Sequence, residues 1–150
     1  MKLEHEIRQE KPFKTEHERA IVNILFTASW FQNYNRGFLK QYDISSQQYN
    51  ILRILRGQFP KAARVNLLKD RMIDKMSDAS RLVDRLLKKR LVERTQCTED
   101  RRAVDILISK KGLELLKRID KESVDLFKVL ERLSKKELIQ LNGLLDKLRG

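Results

Sequence analysis

The side chains in this sequence whose type and spacing suit chemistry are Ser77, Ser80, Arg81, Arg85 and Lys88, followed a short way on by Arg101 and Arg102. All are hydrogen-bond donors or cations, and none stands in a pattern that makes or breaks a bond. There is no glycine-rich phosphate loop, no histidine beside a serine or cysteine nucleophile in a recognisable arrangement, and no paired metal-ligand spacing. The carboxylates lie in ion-pair-rich stretches of the ordinary solvated kind. The chemistry on offer is therefore binding, and the expectation is a protein that is not an enzyme. Arginine presents two parallel donors to a planar acceptor or enters a narrow groove, and serine gives adaptable hydrogen bonds.

The charge of the chain indicates what would be bound. Across 150 residues, 33 Lys and Arg stand against 21 Asp and Glu, a net charge of +12. Half of that excess lies between Lys61 and Arg102, where 13 basic residues face seven acidic ones. A phosphate backbone attracts such a segment, because each cation that reaches a phosphate releases condensed counterions. Cys97 is the one cysteine and cannot form an internal disulfide, and with two histidines it is too little for a Cys/His zinc cluster. His5 and His17 fall in or near a polar N-terminal stretch and read as surface residues, so neither a metal nor a cofactor is expected. The N-terminus has no apolar leader and no stretch of the chain is long and apolar enough to span a bilayer. A cytoplasmic protein without membrane contact is the expectation.

These residues must be positioned by something, and the chain has the means. Its hydrophobic content of 41% is enough for a core, and five Gly and two Pro suit helices better than a turn-rich sandwich. Thr15 with Glu18, Ser45 with Gln48, and Ser134 with Glu137 have capping-box spacing, and Ser109 is a candidate cap before Gly112. After Thr15, the residues Ile21, Ile24, Leu25, Ala28, Phe31 and Phe38 keep one helical stripe to about Gln41. A second helix runs from Ser46 to about Arg56, and a third, short one uses Val65, Leu68 and Met72. The fourth has the clearest period: Ala79, Leu82, Val83, Leu86 and Leu87 form the apolar stripe, which leaves Ser77, Ser80, Arg81, Asp84, Arg85 and Lys88 on the wet side. The period then changes to two. Leu91 to Cys97 and Val104 to Ile108 read as a hairpin with a charged tip, followed by helices over about 111–131, with Leu116, Ile119, Leu126 and Leu130, and about 135–148. The fold class is mainly α with a small β-hairpin wing, in the order ααααββαα, which makes a winged helix-turn-helix with the fourth helix as the candidate for a major groove.

The residues from Asp74 to Arg94, the triplet Asp100-Arg101-Arg102 and the run Ile106 to Gly112 resemble the recognition helix, wing and wing exit of MarR-type (multiple-antibiotic-resistance regulator) transcription factors, in sequence and in spacing. Asp43 to Leu52 is similar to the helix that opens that family's DNA-binding lobe. The resemblance implies a transcriptional regulator, a ligand-responsive repressor, that binds double-stranded DNA as a homodimer on a pseudo-palindrome, with half-sites about 10 base pairs apart. It implies a single chain over 1–150, with a DNA-binding lobe over 43–112 and a helical dimerisation lobe over 12–42 and 113–149. By position, Ser77, Ser80, Arg81, Arg85 and Lys88 would face the groove and Arg101 and Arg102 would act from the wing, with Asp100 and Arg94 in support. The terminal helices would interlock in the dimer, with Ile21, Phe38, Leu138, Leu141 and Leu145 at that interface. Trp30, Phe31 and Tyr34 would lie near an effector crevice for a small molecule of unknown identity. One departure stands out: Arg90 occupies the turn position where the family has glycine, and a left-handed backbone there would cost a side chain roughly 1 kcal/mol.

Plainer readings apply to the same residues. The face from Ser77 to Lys88 can be an ordinary solvated helix, and Arg101 and Arg102 a hairpin tip with weak ion pairs to Glu99 or Asp100. The aromatic cluster at Trp30 can be core. Cys97 has no second cysteine in the chain to resolve an oxidised thiol, which argues against a redox switch. As a whole the chain can also be a winged-helix module that binds protein, while RNA binding lacks an aromatic platform in the basic segment.

Overall fold

A computed structural model of the chain describes residues 2–96, 104–122 and 128–150. Its elements are α1 (Leu3–Glu6), α2 (Glu16–Lys40), α3 (Ser46–Gln58), β1 (Ala63–Arg64), α4 (Val65–Arg71), α5 (Ala79–Lys88), β2 (Val92–Gln96), β3 (Val104–Ile108) and α6 (Lys110–Glu122), then a 3-10 turn (Leu130–Arg132) and α7 (Lys135–Arg149). The protein is mainly helical with a small antiparallel sheet, as the sequence leads one to expect. Two elements go beyond that reading. One is α1, which tucks Leu3 inside and ties Glu4 to Arg19 Nε at 2.8 Å. The other is β1, two residues long and too short to show a period. It makes the wing a three-stranded sheet of order β1-β3-β2, with Ala63 opposite Ile106 and Val92 opposite Ile108.

The chain divides into two compact units, Met1–Ser46 and Gln47–Gly150. In the first, Thr15 Oγ1 accepts from the Glu18 N–H and starts α2. The box is shifted from its usual reciprocal form, since Glu18 Oε2 accepts from the N–H of Lys14, one residue before the cap. Near its C-terminus, Phe38 meets Tyr42 edge-on at 5.6 Å, and Leu39, Tyr42 and Ile44 are buried.

The second unit holds the larger core. Ile51, Leu52 and Leu55 of α3, Leu68 of α4, Val83 and Leu86 of α5, Ile106 and Ile108 of β3, and Leu116 and Ile119 of α6 are all buried. Apolar residues at helical spacing in α5 and at strand spacing in β3 therefore face inward, which is the physical basis of both periods. The Arg56 guanidinium bonds to Asp120 and links α3 to α6. The last helix opens on a complete capping box: Glu137 N–H donates to Ser134 Oγ, and Ser134 N–H donates to Glu137 Oε2. The helix expected to end near Glu131 is α-helical through Glu122, and Glu131 itself lies in the 3-10 turn. Leu126 lies outside the described residues. No helix among the described residues is long and apolar enough to cross a membrane.

Candidate nucleic-acid interface

The site is built on α5 and on what fixes its two ends. At the N-terminal end Asp78 is the cap, its Oδ1 accepting from the Arg81 N–H at 3.1 Å. That cap decides where the helix begins. Ser77, expected on the helical face, stands instead in the preceding turn, where its hydroxyl donates to Asp74 Oδ2 at 2.7 Å. The same carboxylate takes the Met76 N–H on its other oxygen at 3.1 Å. These two donors, the Ser77 hydroxyl first, hold the Asp74 carboxyl below its ordinary pKa. The chain from α4 into α5 is thus a hydrogen-bonded turn, further fixed by Ile73 N–H donating to Asn50 Oδ1 at 2.9 Å.

At the C-terminal end the backbone answers the question raised by Arg90. Its φ is +58°, so the left-handed turn is kept with arginine in it. Arg90 N–H donates to Leu87 O at 2.9 Å and Leu91 N–H to Leu86 O at 3.0 Å, the two bonds of a Schellman motif. Leu86 and Leu91 are both buried, as the hydrophobic partner contact of that motif requires. The exposed carbonyls beyond it are taken up by the start of α6. Ser109 N–H donates to Leu91 O, Ser109 Oγ donates to Arg90 O at 2.8 Å, and Lys111 Nζ donates to Lys89 O at 3.0 Å. Ser109 Oγ in turn accepts from the Gly112 N–H, the capping role its position suggested. Gly112 lies so close that an added Cβ would sit 2.3 Å from Leu91 O. Sequence reasoning read Ser109 as a cap and missed that it also anchors the end of α5.

Between these fixed ends α5 turns Ala79, Val83 and Leu86 inward and leaves Ser80, Arg81, Asp84, Arg85 and Lys88 exposed. Asp84, the acidic residue on that face, bonds to Arg94 Nη2 of β2 at 2.9 Å. Arg94 therefore neutralises the carboxylate as well as joining wing to helix. The side chains of Arg81, Arg85 and Lys88 have no ion-pair partner among the described residues. The exposed face is a row of uncommitted cations beside a neutralised acid, arranged to meet an anion.

Other expected residues fall elsewhere. Arg101, Arg102, Asp100 and Cys97 lie outside the described residues. Trp30 stacks on Tyr34 at 6.0 Å and sits 6.5 Å from Phe31, with Trp30 and Tyr34 exposed rather than in the core. Ile21 and Leu141 are exposed, and Phe38, Leu138 and Leu145 half-buried. No group of three or more His, Cys, Asp or Glu among the described residues could hold a metal ion.

Residues 44–104, from just before α3 to the first residue of β3, match the family model described as the MarR family. This lobe is similar to a MarR-family winged helix. None of the curated proteins matches the sequence. Among solved structures, a MarR transcription factor from Planctomyces limnophilus is 29% identical, with a TM-score of 0.68 over 90% of this chain and 98% of that one. A MarR-like transcription regulator from Bacillus cereus is 23% identical, with a TM-score of 0.78 over 89% and 96%. A cysteine-to-serine mutant of MarR from E. coli, solved in complex with operator DNA, is 20% identical with a TM-score of 0.76 over 92% and 99%. The MarR-type architecture thus extends beyond the matched lobe to the fold of nearly the whole chain.

Proposed function

We propose that this protein is a cytoplasmic, homodimeric transcription regulator that binds a pseudo-palindromic site in double-stranded DNA through a lobe over 43–112. The observation that carries this is the outer face of α5, where Arg81, Arg85 and Lys88 are exposed with no ion-pair partner among the described residues, opposite the buried stripe that orients them. Arg81 and Ser80, near the N-terminal end, would reach base edges, with Ser77 in the turn beside them. Arg85 and Lys88 would meet phosphates. Arg101 and Arg102 would extend the contact from the wing, with Asp100 bracing one of them.

Dimerisation has its own support. A helix exposing Ile21, Ile24 and Leu25, and another exposing Ile139, Leu141, Leu144 and Leu148, each leave apolar surface that a second copy would cover. The segments 12–42 and 113–149 would supply that interface, with Phe38, Leu138 and Leu145 joining Ile21 and Leu141. Repression follows by occlusion of a promoter. Release by a small molecule requires that the ligand favour one spacing of the two recognition helices over another, and the exposed aromatic group at Trp30, Phe31 and Tyr34 is where such a ligand would bind.

The test is selection of binders from random duplex DNA by the purified protein, with the winners measured across a salt series. A two-fold-symmetric site with half-sites about 10 base pairs apart, and an affinity that falls steeply with salt, is the expected result. No enriched sequence would refute the reading and leave a protein-interaction module in its place.

A further inference from the structure

The most exposed large apolar side chains of the described residues are Met76, at 93%, and Ile73, at 87%. They belong to neither of the two helices assigned above to the dimer. Both lie in the turn from α4 into α5, and that turn is built rather than slack. Met72, buried at 1%, points inward. From it, the Ile73–Asn50 bond and the two bonds to Asp74 fix the path that turns Ile73 and Met76 outward. The same stretch carries Lys69, Arg71, Lys75 and Arg81 with Asp70, Asp74 and Asp78 among them, all exposed, and the next turns of α5 add Arg85 and Lys88. A large apolar side chain held in water by its own backbone is costly unless something covers it. The turn leads directly into the cationic face of α5, which points to an anionic partner for the surface, one that carries apolar groups within reach of the leading turn of α5. Duplex DNA meets both conditions, since the C5-methyl of thymine is the apolar group on the base edges of the major groove.

We infer that Met76, assisted by Ile73, packs on thymine methyl groups and is a specificity-determining contact of this protein, an inference that rests on the DNA-binding reading above. Methionine suits the task because its unbranched thioether adapts to an irregular apolar surface. The arginines read acceptors and these two side chains read methyls. The half-site is thereby specified at thymines that hydrogen bonding alone distinguishes less well.

The experiment uses the full chain and the selected operator, in duplexes that carry deoxyuridine in place of one thymine at a time. Wild type is expected to weaken by about fourfold for each contacted methyl removed, the value of one buried methyl-sized group. The sensitive thymines should occur at symmetric positions in the two half-sites. M76A should bind the thymine operator more weakly and show no further loss at that deoxyuridine, with I73A giving a smaller effect. Specific binding that no deoxyuridine weakens, or an M76A protein that keeps the full penalty, would overturn the inference while the DNA-binding reading stands. An operator with no thymine opposite the turn would do the same. A change of oligomeric state in M76A without DNA would place a protein partner on the turn instead. Failure to enrich any site would overturn the DNA-binding reading, and this inference with it.

Discussion

Replacing Gly112 with alanine should invert the usual effect of that change in a helix. An interior Gly→Ala substitution gains up to about 1 kcal/mol from helix propensity. At Gly112 the new Cβ would lie 2.3 Å from Leu91 O and 2.8 Å from Ile108 Cγ1. Contacts under 3.0 Å are essentially never seen, so the Leu91 carbonyl would have to retreat by at least 0.7 Å. It has nowhere cheap to go. Leu91 O accepts from Ser109, Leu91 N–H closes the Schellman motif on Leu86, and the next residue, Val92, pairs with Ile108 in the sheet. Overpacking of this kind costs about 1–3 kcal/mol, and a backbone neighbour puts it toward the upper end. After the propensity gain the net expectation is a loss of roughly 1–2 kcal/mol, read as a lower urea midpoint at fixed protein concentration. Gly57→Ala is the control, because nothing lies within 4 Å of its added Cβ and its φ is not left-handed. That variant should be as stable as wild type or more so. Because the strain falls on the turn that ends α5, Gly112→Ala should also weaken operator binding under conditions where it remains folded. A Gly112→Ala protein as stable as wild type would show that the α5–α6 junction has slack, and the reasoning would fail.

Arg90→Gly should stabilise the protein by up to about 1 kcal/mol in the same urea titration, since glycine meets the left-handed φ without strain, and a loss would mean that the arginine side chain makes a compensating contact. Arg81→Ala should cost roughly 1–3 kcal/mol on the selected operator and relax preference at one base position, whereas Lys88→Ala should weaken all sequences evenly and flatten the salt slope. The Asp74 carboxyl is held below its ordinary pKa by Ser77 and Met76. Its stabilisation should therefore be complete above about pH 4 and be lost as pH falls through the folded value, so the stability gap between wild type and Asp74→Asn should close on acidification. Ser134→Ala removes one half of the α7 capping box and should reduce stability by about 1 kcal/mol, seen as reduced helicity on mild heating.

Much of the fold was legible because its signals are local. The stripe Ala79, Val83, Leu86 and the alternation through Ile106 and Ile108 each reflect the geometry of one element, and Ser134 with Glu137 satisfy donors three residues apart. The cationic face of α5 was legible for the same reason, since residues opposite a buried stripe must face water. Where α5 begins was less so, because Ser77, Asp78 and Asp74 compete for the same backbone donors and the outcome depends on the whole turn. The sequence by itself determined most of the helices, the two long strands of the wing, the excess of positive charge and which cations α5 exposes. Tertiary structure alone decided the rest. It set β1 against β3, brought Arg94 of β2 to Asp84 of α5, and turned Met72 in while Ile73 and Met76 face out. It also pressed Gly112 onto Leu91, next to the left-handed turn at Arg90. Each of these depends on residues far apart in the chain meeting in space, and no local period or cap encodes that meeting.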